Sequence, residues 1–324
     1  MADGVFGVID VGSNTVHLLV AASDGTQVRR LDDVSVFLRL GADLELTGGI
    51  TPPKVRDVAI CVLEMVERAE LLGAREVRLL ATQAVRAASN REEVVRSIEA
   101  MTGLPVSVLE PEREAYFAVL GAALTHSFDE HHLVVDIGGA STQISIASAE
   151  TLLAMRSVPV GSGRLASRFK QDPPGRSEIR KISERVRREV VPAVEALFRR
   201  ELAATGAVVV GGAPRRVARL IAPSGAPVLV TRESLRAALS VLLRRPAKEV
   251  AGPKGIELDR VPMARAGGII LQQVLEAAGL DQCTISPFGI REGAVLDAAR
   301  TAPWQVAVAR EEKTSHGEPA AARP

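Results

Sequence analysis

Val8-Ile9-Asp10-Val11-Gly12-Ser13-Asn14-Thr15-Val16-His17-Leu18-Leu19-Val20 is two apolar runs joined by a short Gly/Ser/Asn turn, with an acid near the end of the first run. Runs of this length, bounded by turn residues, predict strand, tight turn, strand. The pattern returns at Leu133-Val134-Val135-Asp136-Ile137-Gly138-Gly139-Ala140-Ser141-Thr142-Gln143-Ile144-Ser145-Ile146. Two hairpins that each place Asp before a small-residue turn predict a duplicated domain.

These residue types at this spacing suit phosphate. Glycine lets the backbone approach an anion without a Cβ in the way. Successive N–H groups in such a turn form an anion-binding concavity. Ser13, Asn14, Thr15, Ser141 and Thr142 add side-chain donors. Asp10 and Asp136, at the strand ends, can hold a hydrated Mg²⁺ against phosphate oxygens.

Composition narrows the classes. The chain has 324 residues, 47% of them apolar and 24% charged, which predicts a globular protein of two domains. Aromatics make up 3%, too few for the stacking platforms of single-stranded nucleic-acid binders. The net charge of +1 implies no global electrostatic partner. Two cysteines, Cys61 and Cys283, make neither a disulfide framework nor a metal site. The first residues carry no basic region followed by a long apolar segment, so no leader is read there. No apolar run reaches the ~18 residues of a membrane span. The cytoplasm is the expected compartment.

Taken together, Asp10-Val11-Gly12-Ser13-Asn14-Thr15 and Asp136-Ile137-Gly138-Gly139-Ala140-Ser141-Thr142 resemble the two phosphate loops of the exopolyphosphatase/guanosine pentaphosphate phosphatase (Ppx/GppA) family, within the actin-like ATPase and sugar kinase superfamily. The resemblance extends over roughly residues 5–300. It implies an α/β fold of two ribonuclease-H-like domains with an interdomain cleft. The expected division is 1–126 with the first loop and 127–302 with the second, and 303–324 is read as a polar, disordered tail.

Further motifs carry the likeness. Leu38-Arg39-Leu40-Gly41 resembles the family's Arg-Leu-Gly, which would set Arg39 near the substrate phosphates; a solvated strand-end arginine is the alternative. Thr82-Gln83-Ala84-Val85-Arg86 resembles a Thr-x-x-x-Arg segment whose arginine faces phosphate, as a bidentate guanidinium can. A surface helix charge is the plainer reading of Arg86. Glu110-Pro111-Glu112-Arg113-Glu114-Ala115 opens a helix, and Glu114, directly before Ala, matches the family's catalytic glutamate, with Glu112 in reserve. Ala207-Val208-Val209-Val210-Gly211-Gly212 resembles the superfamily's third, adenosine-side motif and makes Gly211 and Gly212 ligand-binding candidates. Ile290-Arg291-Glu292-Gly293 matches Leu-Arg-Glu-Gly near the family's C-terminus, a helix that packs back across the domains.

Two departures stand out. Ala140 replaces a third glycine, and Gln143 stands where much of the family has Glu. An amide can orient water but cannot neutralise Mg²⁺ as a carboxylate does, so weaker activity is expected.

The resemblance implies Mg²⁺-dependent release of terminal phosphate from inorganic polyphosphate or pppGpp, with Glu114 activating the attacking water. A non-catalytic polyphosphate or pppGpp sensor and an ATP-dependent kinase are the rivals. The longer family members' extra phosphohydrolase domain is not read here, so activity is assigned to the cleft. A homodimer is the expected assembly.

Residues 161–200 carry 11 Lys/Arg against 5 Asp/Glu, a track that would suit a long polyanion. Ile182, Val186, Val190 and Val194 form that helix's buried stripe, and Pro192 is expected to kink or divide it. Asn90-x-x-Glu93 resembles a capping box. His126, His131 and His132 are read as a solvated loop, and His17 as a satisfied interior histidine.

Overall fold

The computed structural model describes residues 4–198, 203–222, 226–252 and 255–301. The tail expected over 303–324 lies outside them.

The opening hairpin forms as its pattern requires. β1 (Gly4–Val11) pairs antiparallel with β2 (Thr15–Ser23), and β2 with β3 (Val28–Phe37). Val8, Ile9, Leu18, Leu19 and Val20 are all buried, so both faces of the hairpin are covered and neighbouring apolar residues serve opposite sides. After α1 (Leu40–Thr47) and α2 (Pro52–Leu71), β4 (Glu76–Ala81) lies parallel to β1. Next come α3 (Gln83–Ala87), α4 (Arg91–Thr102) and β5 (Val106–Val108), giving the order β3-β2-β1-β4-β5.

α5 (Pro111–Ala123) leads to the second sheet. There β6 (His132–Ile137), β7 (Thr142–Ser148) and β8 (Thr151–Val158) repeat the antiparallel opening. α6 (Ser162–Ala166) and α7 (Arg176–Phe198) follow, and β9 (Gly206–Val210) lies parallel to β6 as β4 does to β1. The chain continues through α8 (Gly212–Ile221), β10 (Val228–Thr231), α9 (Arg232–Arg244), α10 (Ala247–Val250), α11 (Val261–Ala277), β11 (Gln282–Ile285) and α12 (Ile290–Arg300). The strand order is β10-β11-β9-β6-β7-β8. The repeated hairpin-plus-parallel-strand unit is the expected pair of ribonuclease-H-like α/β sheets.

α5 and α12 join the halves. Phe117 of α5 packs with Phe6, Val8, Leu19 and Leu80 of the first sheet and with Ala294, Val295 and Ala298 of α12. Ala118, Val119 and Ala122 on its other side pack with Val134, Ala147, Val208 and Val210 of the second sheet. The two helices meet backbone to backbone. A Cβ on Gly293 would overlap the Phe117 carbonyl, and one on Gly121 would overlap that of Gly289. α12 therefore returns to the first sheet, as the Ile290–Gly293 motif implied.

Several local expectations are corrected. β3 stops at Phe37, because Arg39 is left-handed (φ 57°) and the chain turns into the unforeseen α1. Only Leu40 of α1 is buried, so its sequence carries almost no helical periodicity. Asn90 makes no N-cap bond to its helix; its amide bridges the N–H and C=O of Ile50, at 2.9 and 2.8 Å, and donates to Glu93 at 3.1 Å. Pro192 does not divide α7, which runs unbroken from Arg176 to Phe198. β10 was also unforeseen. No helix among the described residues is long and apolar enough to cross a membrane.

Candidate functional site

The two turns have the same geometry. Gly12 N–H donates to the Thr15 carbonyl at 3.1 Å, and Gly138 N–H to that of Ser141 at 3.1 Å. A Cβ on either glycine would lie 3.0 Å from the same carbonyl. The turns face each other across a cavity of about 210 Å³. Asn14 reaches over to the second turn, where its Nδ2 occupies the space a Cβ on Gly139 or Gly163 would need. Thr15 accepts from Arg260 at 2.9 Å, and Arg164 pairs with Glu45 at 3.2 Å, so the halves are closed on one another.

Asp10 and Asp136 line this cavity from the ends of β1 and β6. Burial pushes Asp10 up to about 7, against the pull of Arg291 and with a smaller push from Glu114. Burial, then the Glu114 and Asp10 carboxylates, pushes Asp136 up to about 8. Three acids thus share one enclosed space, and Asp10 Oδ1 has no hydrogen-bond partner. Such a space favours a cation. Among the described residues no three metal-ligating side chains converge on one point. The donor set still fits Mg²⁺, which takes one or two carboxylates, keeps several waters and binds substrate phosphate.

Glu114 lines the cavity from the first turn of α5, whereas Glu112 is exposed. Burial raises the Glu114 carboxyl above its usual range despite the Arg86 guanidinium beside it. Arg86, expected to face phosphate, donates to Glu114 and to the Leu109 carbonyl and does not line the cavity. Gln143 also holds Glu114, its Nε2 donating to Glu114 Oε2 and to Ser141 Oγ, both at 3.1 Å. Gln143 does not line the cavity, and its own Oε1 is buried without a partner.

The other candidates divide. Ser13, Asn14, Thr15, Gly138, Gly139, Ser141, Gly211 and Gly212 all line the cavity. Thr142 does not; its hydroxyl is fully buried on the Val160 carbonyl at 2.6 Å. Gly211 has φ 113°, and a Cβ there would lie 2.6 Å from the Ile137 carbonyl, so glycine is required on both counts. Arg39 lies outside the cavity, its guanidinium 4.7 Å over the Phe37 ring, and lines a neighbouring pocket of about 260 Å³.

Four arginines of the cavity were missed: Arg215, Arg216, Arg260 and Arg291. Arg215 and Arg216 follow the Gly211-Gly212 turn by one helical turn, and that spacing was the available signal. Arg215 is enclosed, and burial followed by repulsion from Arg291 brings it down to about 10. It remains a cation at neutral pH, donating to the Pro287 carbonyl at 3.1 Å. Arg291 is held by Asp33 at 2.6 Å. His17 was read as satisfied, yet it lines the cavity and its Nδ1 has no partner. The His126 and His132 rings pack on each other, centroids 4.8 Å apart, rather than standing solvated.

The arrangement can enclose a polyanion among arginines and turn N–H groups, with a buried carboxylate at its side. Comparison with known proteins agrees. The sequence profile of the Ppx/GppA phosphatase family matches residues 19–302. Exopolyphosphatase 1 of Mycobacterium tuberculosis is 31% identical over 301 residues, covering 90% of this chain and 87% of its own. The crystal structure of the Aquifex aeolicus Ppx/GppA family member has a TM-score of 0.78 at 24% identity, covering 91% of this chain and 97% of that one. A Cytophaga hutchinsonii exopolyphosphatase has a TM-score of 0.80 at 24% identity, covering 91% and 98%. With the profile matching residues 19–302 and a relative 31% identical over 90% of the chain, the chain belongs to the Ppx/GppA phosphatase family.

Proposed function

We propose that the protein hydrolyses the terminal phosphoanhydride bond of inorganic polyphosphate with the help of Mg²⁺. The observation that carries this is Glu114: a buried carboxylate with a raised pKa, held by Arg86 and Gln143 beside a cavity that arginines, turn residues and two further carboxylates also line. A fixed carboxylate of raised basicity suits proton abstraction from water. The cavity arginines and turn N–H groups bind the phosphate chain and stabilise charge on the transferred group. Asp10 and Asp136 would hold Mg²⁺, whose chemistry there is charge neutralisation on the phosphoryl oxygens. The name of the Mycobacterium tuberculosis relative and the exposed cations of α7 favour polyphosphate as substrate.

A second reading, pppGpp, draws on the adjoining pocket. Phe37, Pro262 and Met263 give it apolar walls beside Arg39 and Arg164, which would suit a base and its phosphates. Phosphate release from long polyphosphate, pppGpp and ATP, each with Mg²⁺ or EDTA, separates the readings. Release from polyphosphate that EDTA stops is the expected result. Release from pppGpp alone selects the second reading, release from ATP alone overturns both, and tight binding without release makes the protein a sensor.

A further inference from the structure

Arg215 lines the cavity from the start of α8, on the second half of the molecule. An arginine side chain has many rotamers, and fixing it in one of them costs binding energy unless the protein has already done so. Among the described residues the Arg215 side chain has one hydrogen-bond partner, the Pro287 carbonyl at 3.1 Å. Where that carbonyl sits therefore decides where the guanidinium points.

The same carbonyl accepts a second bond. Arg30 of β3, on the first half, donates to it from Nη2 at 2.6 Å. A backbone carbonyl has two lone pairs, so both arginines can hold it at once. Arg30 is in turn held by Glu292, whose Oε1 accepts from Nε at 3.0 Å and from Nη2 at 2.6 Å. The other Glu292 oxygen accepts from the Gly289 N–H at 2.8 Å. The Glu292 side chain is 2% exposed, so this clasp is shielded from water. The Arg30 guanidinium also lies 4.8 Å over the Phe288 ring. One side chain thus grips the link between β11 and α12 at three successive residues: by a carbonyl, by a ring and, through Glu292, by an N–H. The Arg30 and Arg215 cations repel each other, and Glu292 opposes that repulsion. Arg30 itself does not line the cavity, so it reaches a ligand there only through what it holds.

We propose that Arg30 is a positioning residue for Arg215: it fixes the Pro287 carbonyl from the first half, and that carbonyl aims the second half's guanidinium at the bound phosphate chain. The second half's share of the binding surface is then complete only when β3 is docked on the β11–α12 link. The inference rests on the phosphohydrolase reading of the cavity.

The test is a double-mutant cycle in the full chain carrying Glu114→Gln, so that inorganic tripolyphosphate is bound without turnover, titrated by calorimetry with Mg²⁺. Arg30→Lys keeps the charge and a partner for Glu292, but one ammonium does not span Glu292 and the Pro287 carbonyl as the guanidinium fork does. It should weaken binding about three- to tenfold, the cost of ordering one released arginine. Arg215→Met should weaken binding at least as much, and adding Arg30→Lys to it should change nothing more. Loss of positioning differs in this from a general weakening of the fold, which would add to the Arg215→Met loss. Arg30→Met leaves Glu292 unpaired and should melt earlier, yet bind like Arg30→Lys; if it does not fold, the lysine variant decides alone. With Glu114 intact, kcat/KM for polyphosphate should fall by the same factor, again only while Arg215 is present. Parental binding by Arg30→Lys or by Arg215→Met, or an equal Arg30→Lys loss with and without Arg215, overturns this inference alone. A chain with Arg30 and Arg215 intact that binds no tripolyphosphate overturns the phosphohydrolase reading, and this inference with it.

Discussion

Glu114 takes one hydrogen bond from a cation and another from a neutral amide, and the two contacts do different things. Arg86 favours the charged form, while the Gln143 amide fixes the carboxylate's orientation without adding charge. Glu114→Gln should therefore lower turnover by about 10²–10⁴ while tripolyphosphate still binds, measured by phosphate release and calorimetry. Near-parental turnover would remove Glu114 as the base. The Gln143 geometry also changes what Gln143→Glu should do. A carboxylate at the amide's place stands 3.1 Å from Glu114 Oε2, and like charges raise each other's pKa. The ionised base is then lost at a higher pH, so the acid limb of the kcat/KM profile should move up by about one unit. An unmoved limb would mean that the amide does not act on Glu114. Asp136 gives a third prediction. Its pKa is about 8 in the fold and lies near the ordinary 3.8 in the unfolded chain. The folded state therefore binds the proton more tightly, and stability falls as pH rises from about 4 through about 8. Asp136→Asn removes that loss. In EDTA its melting temperature should exceed the parent's by a margin that widens over this range, while activity disappears; equal melting temperatures at pH 8.5 would contradict the buried-charge argument.

At the level of elements, the crossing of α5 and α12 depends on two glycines. Gly293→Ala would drive a methyl into the Phe117 carbonyl, and backbone cannot move aside as a side chain can. The expected loss is about 2 kcal/mol or more by denaturant unfolding; a smaller change would mean that the helices slide apart easily. Elements were legible where one periodicity or one turn signal acted alone. The two hairpins, α2 with its Pro52 start, and the Thr231 cap of α9, whose side chain accepts from Ser234 N–H, stand where their residues put them. α1 was not legible, because Leu44 and Leu46 follow an alternating spacing and the helix is held at its ends, by the left-handed Arg39 and by Gly48. The site was half legible for a related reason. Turn residues announce themselves locally, so the two turns that line the cavity were legible. Arg260 and Arg291 are distant in sequence from the loops they face, and only the tertiary fold brings them there. The contact between Arg86 and Glu114 was not legible because the two lie 28 residues apart, and the sequence does not show a guanidinium already engaged.

Over the whole molecule, the cavity lies where the two halves meet, and the basic residues of α7 lie on the outside of the second half. Arg176, Arg180, Lys181, Arg187 and Arg188 are exposed there. Affinity should rise with polyphosphate length and fall steeply with salt, because exposed charges act over about a Debye length, ~8–10 Å in ordinary buffers. Equal, salt-insensitive affinity for short and long chains would confine recognition to the cavity. The return of α12 to the first sheet bears on how the protein is made. Phe6, Val8, Leu19 and Ala21 are covered by Ala294, Val295 and Ala298, which are synthesised more than 270 residues later. The first sheet therefore keeps an apolar face uncovered until α12 has been made, and a chain cut after residue 126 would lack its lid. The two halves repeat one another in architecture, yet the earlier-made half is finished only by the end of the later one, so neither the order of synthesis nor the duplication supplies a self-sufficient folding unit.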